Sequence, residues 1–249
     1  MITCIHIAIR GAVQGVGFRP FIYRLAMESN LKGYVLNNSS GVFIEAEGEE
    51  KTIRDFLFRI ENEKPPHAII ISMEHSFLDP VGYKDFIIKE SEGGDEVSAM
   101  ILPDIAVCDD CLNEMFDVKV RRYLYPFINC NNCGTRFSII ESLPYDRPNT
   151  SMKTFEMCDR CREEYEDPMN RRFHAQPTAC PDCGPKLTFW NERGNTISEK
   201  GEALYNTAKL IKEGKIIALK GVGGFQRSVD ASNDKARNEM RKRKHREEK

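Results

Sequence analysis

The chain has 249 residues, with 36 Lys and Arg against 38 Asp and Glu and a formal net charge of -2. That length admits roughly two domains with cores of their own, and the balanced charge gives no support to a protein that coats a polyanion. No run of about 18 apolar residues occurs, so no membrane span is expected. "MITCIHIAIR" lacks the basic start and small-residue cleavage site of a signal peptide, which makes the cytoplasm the expected location.

In chain order, residues 1–91 form a first region. "CIHIAIR" alternates as a strand and "FRPFIYRLAMESN" follows with helical spacing, Pro20 suiting the first turn. "LKGYVLNN" and "GVFIEAEG" read as two strands joined by the turn "NSSG". "EEKTIRDFLFRIENE" is an amphipathic helix with Ile53, Phe56, Leu57 and Ile60 on one face. "HAIIISMEHSFL" and "KDFIIKE" close the region as strands. The order βαββαβ with one late strand predicts an α+β, ferredoxin-like sandwich, with helices on one face of an antiparallel sheet.

"SEGGDEVSAMILPDIAV" marks a boundary, and residues 104–187 then carry eight of the nine cysteines as four Cys-x-x-Cys pairs. A shift of 50 residues maps Cys108, Cys111, Cys130 and Cys133 onto Cys158, Cys161, Cys180 and Cys183, Arg121-Arg122 onto Arg171-Arg172 and Gly134 onto Gly184. The region is two copies of one unit. Each copy reads C-x2-C-x18-C-x2-C, a spacing that predicts one tetrahedral Cys4 zinc per copy, paired sequentially and structural because it is closed to substrate. His174 is a conceivable substitute ligand, set against a packing or surface role. Nucleic-acid binding is the rival reading for the Arg-Arg pairs, opposed by acidic neighbours such as "CDDCLNEMFD". Cys4, the ninth, reads as a small buried hydrophobe in the first strand.

Within residues 188–249, "TISEKGEALYNTAKLIKEG" reads as a helix and a Gly turn. A buried strand "KIIALK", a glycine-rich turn and a capped, highly charged helix follow. One convincing strand in so short a segment reads as the opening of an incomplete α/β domain.

The chemistry concentrates in "GAVQGVGFRP", Gly11 to Pro20. Glycines at this density let several N–H groups point one way, and Arg19 in the first helical turn adds a planar fork of donors. With the positive end of the helix dipole they form an anion cradle. No Walker loop or GxGxxG is present. Asn37 on the adjacent strand is placed to orient a nucleophile. Spacing alone leaves a second reading open, in which the glycines shape a turn and Arg19 is solvated.

"GAVQGVGFR" followed by "KGYVLNNSSGVFIEAEG" resembles the acylphosphatases over the whole first region. The resemblance implies that Arg19, with the loop of Gly15, Val16, Gly17 and Phe18, binds the phosphate. It implies that Asn37 orients the attacking water, and that this step needs no metal.

The order of parts, with "ALKGVGGF" and "RKRKHR" at the end, resembles the NiFe-hydrogenase maturation carbamoyltransferases, the HypF family. The resemblance implies a YrdC-like nucleotide-binding domain opening in the third region and carbamoyl phosphate as substrate. It also implies ATP with Mg2+ in the complete enzyme, two structural zinc ions, and a HypE-type protein as partner and acceptor. It aligns Lys244 and Arg246 with a phosphate-facing Lys-x-Arg, a solvated helix end being the favoured alternative. It departs at Gln226, where the family has histidine. Acyl phosphate hydrolysis is the activity expected of the residues present, without nucleic acid or membrane. A non-catalytic, zinc-stabilised scaffold for a separate C-terminal half or a maturation partner is the second class of reading.

Overall fold

The computed structural model describes residues 1–92, 98–221 and 224–245. The chain forms two compact units, Met1–Gly184 and Pro185–Lys249, so the first and second sequence regions share one unit.

The first unit is built on a five-stranded sheet. Strand β1 (Ile2–Ala12) leads through the glycine loop into helix α1 (Phe18–Glu28). β2 (Lys32–Asn38) and β3 (Gly41–Glu49) form a hairpin, α2 (Glu50–Asn62) follows, and β4 (Ile69–Leu78) and β5 (Phe86–Ile88) finish the layer. The order is β4-β1-β3-β2-β5. All pairings are antiparallel except β2 with β5, so the late strand adds one parallel edge.

The period-2 alternation of β1 puts Ile5, Ile7 and Ile9 on one buried face, while Cys4 is buried on the other. Phe18, Ile22 and Leu25 of α1 and Ile53, Phe56 and Ile60 of α2 cover the isoleucines, with Leu57 partly buried alongside. Burying each such side chain removes apolar surface from water and contributes roughly 1.5–3 kcal/mol. This core fixes β1, β2 and the start of α1, which hold the glycine loop and Asn37.

The Cys-rich segment has little regular structure. α3 (Asp109–Phe116) and α4 (Asp159–Glu166) each start immediately after the first cysteine of a copy and lie 50 residues apart. The repeat extends to backbone conformation: Leu124 and His174 both take left-handed φ, 53° and 52°.

In the second unit β6 (Thr188–Trp190) and β7 (Thr196–Glu199) form a hairpin before α5 (Lys200–Lys212). The expected helix therefore starts four residues later than "TISEK" suggested, because Thr196–Glu199 pairs as a strand. β8 (Ile217–Gly221) pairs with β9 (Gly224–Ser228), and α6 (Asp234–Arg243) follows, its Ala236 N–H donating to Asn233 Oδ1 at 3.1 Å. The expectation that "KIIALK" is a buried strand is corrected: Leu219 is 44% exposed. Among the described residues β8 pairs only with β9, and a two-stranded ribbon lacks the neighbours to bury a strand.

Candidate active site and metal centres

Gly15 and Gly17 hold left-handed φ angles of 70° and 75°, a region open to glycine and strained for most other residues. Gly17 caps α1, whose first turn carries no acidic residue. The unpaired N–H groups and positive dipole end of that turn therefore remain available to an anion. Val16 and Phe18 bury their side chains in the core, so only their backbone can serve the loop.

Arg19 is buried, 7% exposed, although it is the second residue of a helix. Its guanidinium donates to Ser91 Oγ at 3.2 Å and forms an ion pair with Asp146. With the Asn37 amide turned so that Oδ1 faces it, Asn37 accepts from Arg19 Nε and Nη2, both at 3.2 Å. The two residues singled out from separate motifs are thus neighbours.

The opposite wall was not anticipated. Asn131, Arg136, Tyr145, His174 and Gln176, all from the Cys-rich segment, line the same cleft as the glycine loop, Arg19 and Asn37. Arg136 is buried and donates through Nε to the Gly15 carbonyl. It also donates to the carbonyls of Cys130, Asn131, Cys133 and Thr135 at 3.2, 2.9, 3.0 and 2.9 Å. Gln14 Nε2 donates to the Asn38 and Gly41 carbonyls at 2.7 and 3.0 Å, and its Oε1 accepts from the Tyr145 N–H at 2.9 Å. A Cβ on Gly15 would lie 3.1 Å from Arg136 Cδ and Tyr145 Cε1, and one on Gly17 3.1 Å from Asn131 Cβ. These glycines meet a conformational and a spatial demand together.

His174, where the first copy has Leu124, faces this cleft rather than a cysteine cluster. Burial, reinforced by the Arg19 charge, pushes its pKa from 6.5 down to about 4. The imidazole is accordingly neutral at pH 7.

The eight paired cysteines form two clusters, one within each copy, and in each all four Sγ atoms lie within 4.8 Å of one another. Sγ–Sγ separations of 3.7 Å for Cys108–Cys130 and 3.9 Å for Cys130–Cys133 recur in the second copy as 3.8 Å for Cys158–Cys180 and 3.7 Å for Cys180–Cys183. Bonds of about 2.3 Å to a tetrahedral zinc require edges of about 3.8 Å, so the donor sets fit that ion. Without a cation the thiolates compete: hydrogen bonds with Cys130 and Cys133, then burial, hold Cys111 protonated, while hydrogen bonds with Cys111 and Cys130 lower Cys133 to about 3. A divalent ion relieves that conflict.

The two Arg-Arg pairs cross between the copies. Arg121 Nη1 donates to Cys161 Sγ at 3.3 Å and Arg171 Nη1 to Cys111 Sγ at 3.0 Å. Arg122 pairs with Glu164, and Arg172 with Glu114. Arg122 Nε also reaches the Ala179 carbonyl at 2.9 Å and Arg172 Nε the equivalent Asn129 carbonyl at 3.1 Å. Burial acts to raise the Glu164 pKa, but hydrogen bonds from Arg122 and Arg121 outweigh it and bring it to about 2. Arg122 and Arg172 are buried, so these cations knit the fingers together instead of forming a basic surface. The sequence showed the repeated pair but offered no signal for the exchange.

In the second unit Lys244 is exposed at the C-cap of α6 and Gln226 is exposed on β9. Arg246 lies outside the described residues.

A glycine loop feeding an arginine, with an asparagine beside it on a ferredoxin-like sheet, defines an acylphosphatase domain. The acylphosphatase family matches residues 5–88, and the chain is 44% identical to the acylphosphatase of Thermotoga petrophila, over 34% of this chain and 94% of that protein. The HypF finger family matches residues 107–140 and 157–190. Across nearly its whole length, 97%, the chain is 44% identical to the carbamoyltransferase HypF of Rhodobacter capsulatus, covering 32% of that protein. A crystal structure of full-length HypF in a phosphate- and nucleotide-bound form superposes with a TM-score of 0.91 at 48% identity, covering 100% of this chain and 32% of that one. The chain belongs to the HypF carbamoyltransferase family and corresponds to its N-terminal region. It spans about a third of the length of the HypF relatives it matches. Among the described residues no helix is long and apolar enough to cross a membrane.

Proposed function

We propose that the first domain hydrolyses an acyl phosphate, with carbamoyl phosphate the natural substrate, as the opening step of a HypF-type carbamoyl transfer. The observation that carries this reading is the buried contact of Arg19 with Asn37 at the N-terminus of α1. Arg19 and the N–H groups of Gly15, Val16, Gly17 and Phe18 hold the phosphoryl oxygens. Asn37, its Oδ1 on Arg19, uses its Nδ2 donors to align a water. The water attacks phosphorus, the bond from phosphorus to the acyl oxygen breaks, and its electron pair leaves on the carboxylate of carbamate. That leaving group is already good, so positioning and charge stabilisation suffice.

In the same reading the chain divides into domains at 1–91, 104–187 and 188–249, the last opening a YrdC-like domain. Two zinc ions held by the Cys4 sets shape the second domain and take no part in the chemistry. ATP with Mg2+ and a HypE-type acceptor belong to the complete enzyme in the cytoplasm, with Lys244 and Arg246 a candidate part of its nucleotide site.

The direct test is phosphate release from carbamoyl phosphate, acetyl phosphate and p-nitrophenyl phosphate. Turnover of the acyl phosphates with little of the monoester supports the reading. Equal use of the monoester, or none of the three, overturns it.

A further inference from the structure

Asp146 is the one carboxylate paired with Arg19 among the described residues, and it comes from outside the acylphosphatase domain. The chain is fixed on both sides of it. Tyr145 N–H donates to Gln14 Oε1 at 2.9 Å, Arg147 N–H donates to Gln176 Oε1 at 2.8 Å, and Arg147 Nη1 reaches the Thr178 carbonyl at 2.9 Å. The side chains of Arg19 and Asp146 are 8% and 19% exposed, so this is no solvent-screened surface pair. The segment between the two fingers therefore delivers a fixed negative charge to the guanidinium that an anion would use.

We infer that Asp146, carried by the segment between the two fingers, sets the anion affinity of the Arg19 site, competing with the phosphoryl group so that inorganic phosphate is held weakly and released readily. This rests on reading the Arg19 loop as an acyl phosphate site. A carboxylate and a phosphate sharing one cation repel, and in a partly buried site that repulsion is poorly screened. Asn37 and Ser91 keep Arg19 hydrogen-bonded when the carboxylate yields. The penalty falls on substrate and product alike, so Asp146 tunes binding and turnover of the site rather than making or breaking bonds. An isolated acylphosphatase domain lacks this charge, because the residue is supplied by the segment between the fingers.

The test is calorimetric titration of the full chain with inorganic phosphate, comparing wild type, Asp146→Asn, Asp146→Ala and Arg19→Ala, with thermal melting to establish that each is folded. The expected result is phosphate binding at least about tenfold tighter in both Asp146 variants, and binding lost in Arg19→Ala. A corresponding fall in KM for carbamoyl phosphate, without a rise in kcat, separates this role from a structural one. Unchanged or weaker phosphate binding in the folded Asp146 variants overturns the inference, even where loss of binding in Arg19→Ala upholds the acyl phosphate site. Undiminished binding in Arg19→Ala overturns both.

Discussion

Arg122 of the first finger donates through Nη1 to Glu164 of the second at 2.9 Å. Arg172 of the second returns the contact to Glu114 of the first at 2.7 Å. Each finger thus neutralises a buried cation of the other. Two small metal modules with few apolar residues are fused into one body by reciprocal charge pairing.

Glu164→Gln removes the nearer of two carboxylates on the buried Arg122 and leaves it the Glu114 contact at 3.3 Å, so the cost falls below the roughly 3–5 kcal/mol of breaking a lone buried pair. The sign with pH follows from the lowered Glu164 pKa, about 2 against an ordinary 4.5. The pairing contributes fully above about pH 4.5 and is lost as pH falls toward 2. Denaturant unfolding of wild type and variant checks this, the two curves converging at the acid end.

Arg136 joins the second knuckle of the first Cys4 set to the Gly15–Arg19 loop through carbonyls on both sides. Arg136→Ala strands those carbonyls, and Arg136→Lys cannot reproduce a fork that serves several of them. Both variants are expected to lose several kcal/mol of stability. Hydrolysis is expected to fall more than tenfold because the Gly15 carbonyl loses its anchor. Melting temperature and phosphate release measured on the same preparations give the two effects separately.

Gly15→Ala and Gly17→Ala impose a side chain at left-handed φ and at 3.1 Å from neighbouring groups. Each is expected to cost at least about 1 kcal/mol from the backbone alone. Each also displaces the loop from the finger wall, raising KM for an acyl phosphate.

His174 binds its proton more weakly in the folded chain, with a pKa of about 4 against 6.5. Between those values the unfolded chain carries more protons, so stability rises with pH through this window and is lost as pH drops from 6.5 toward 4. The full effect is of the order of 3 kcal/mol. His174→Asn, which tolerates the same left-handed backbone, is expected to flatten that part of the stability curve in denaturant melts.

The acylphosphatase sheet was legible because its alternation and amphipathic helices follow periods of 2 and 3.6. Arg19 and the eight clustered cysteines stood out because glycine density and Cys-x-x-Cys spacing are local signals. Asn37 was legible through its motif. The finger wall was not legible: Arg136, Asp146 and His174 reach the Gly15–Arg19 loop across more than a hundred residues of chain, and no local period encodes such a contact. "KIIALK" misled for the opposite reason. Its apolar run matches a buried strand, but burial depends on neighbours that the described residues do not provide.

The proposed hydrolytic site joins Arg19 and Asn37. Its most direct test is the kinetics of phosphate release from carbamoyl phosphate by wild type, Arg19→Ala and Asn37→Ala, compared at equal zinc content. Loss of about a hundredfold or more in kcat/KM for each variant, with the fold intact, is the expected result. Turnover by either variant at the wild-type rate would contradict it.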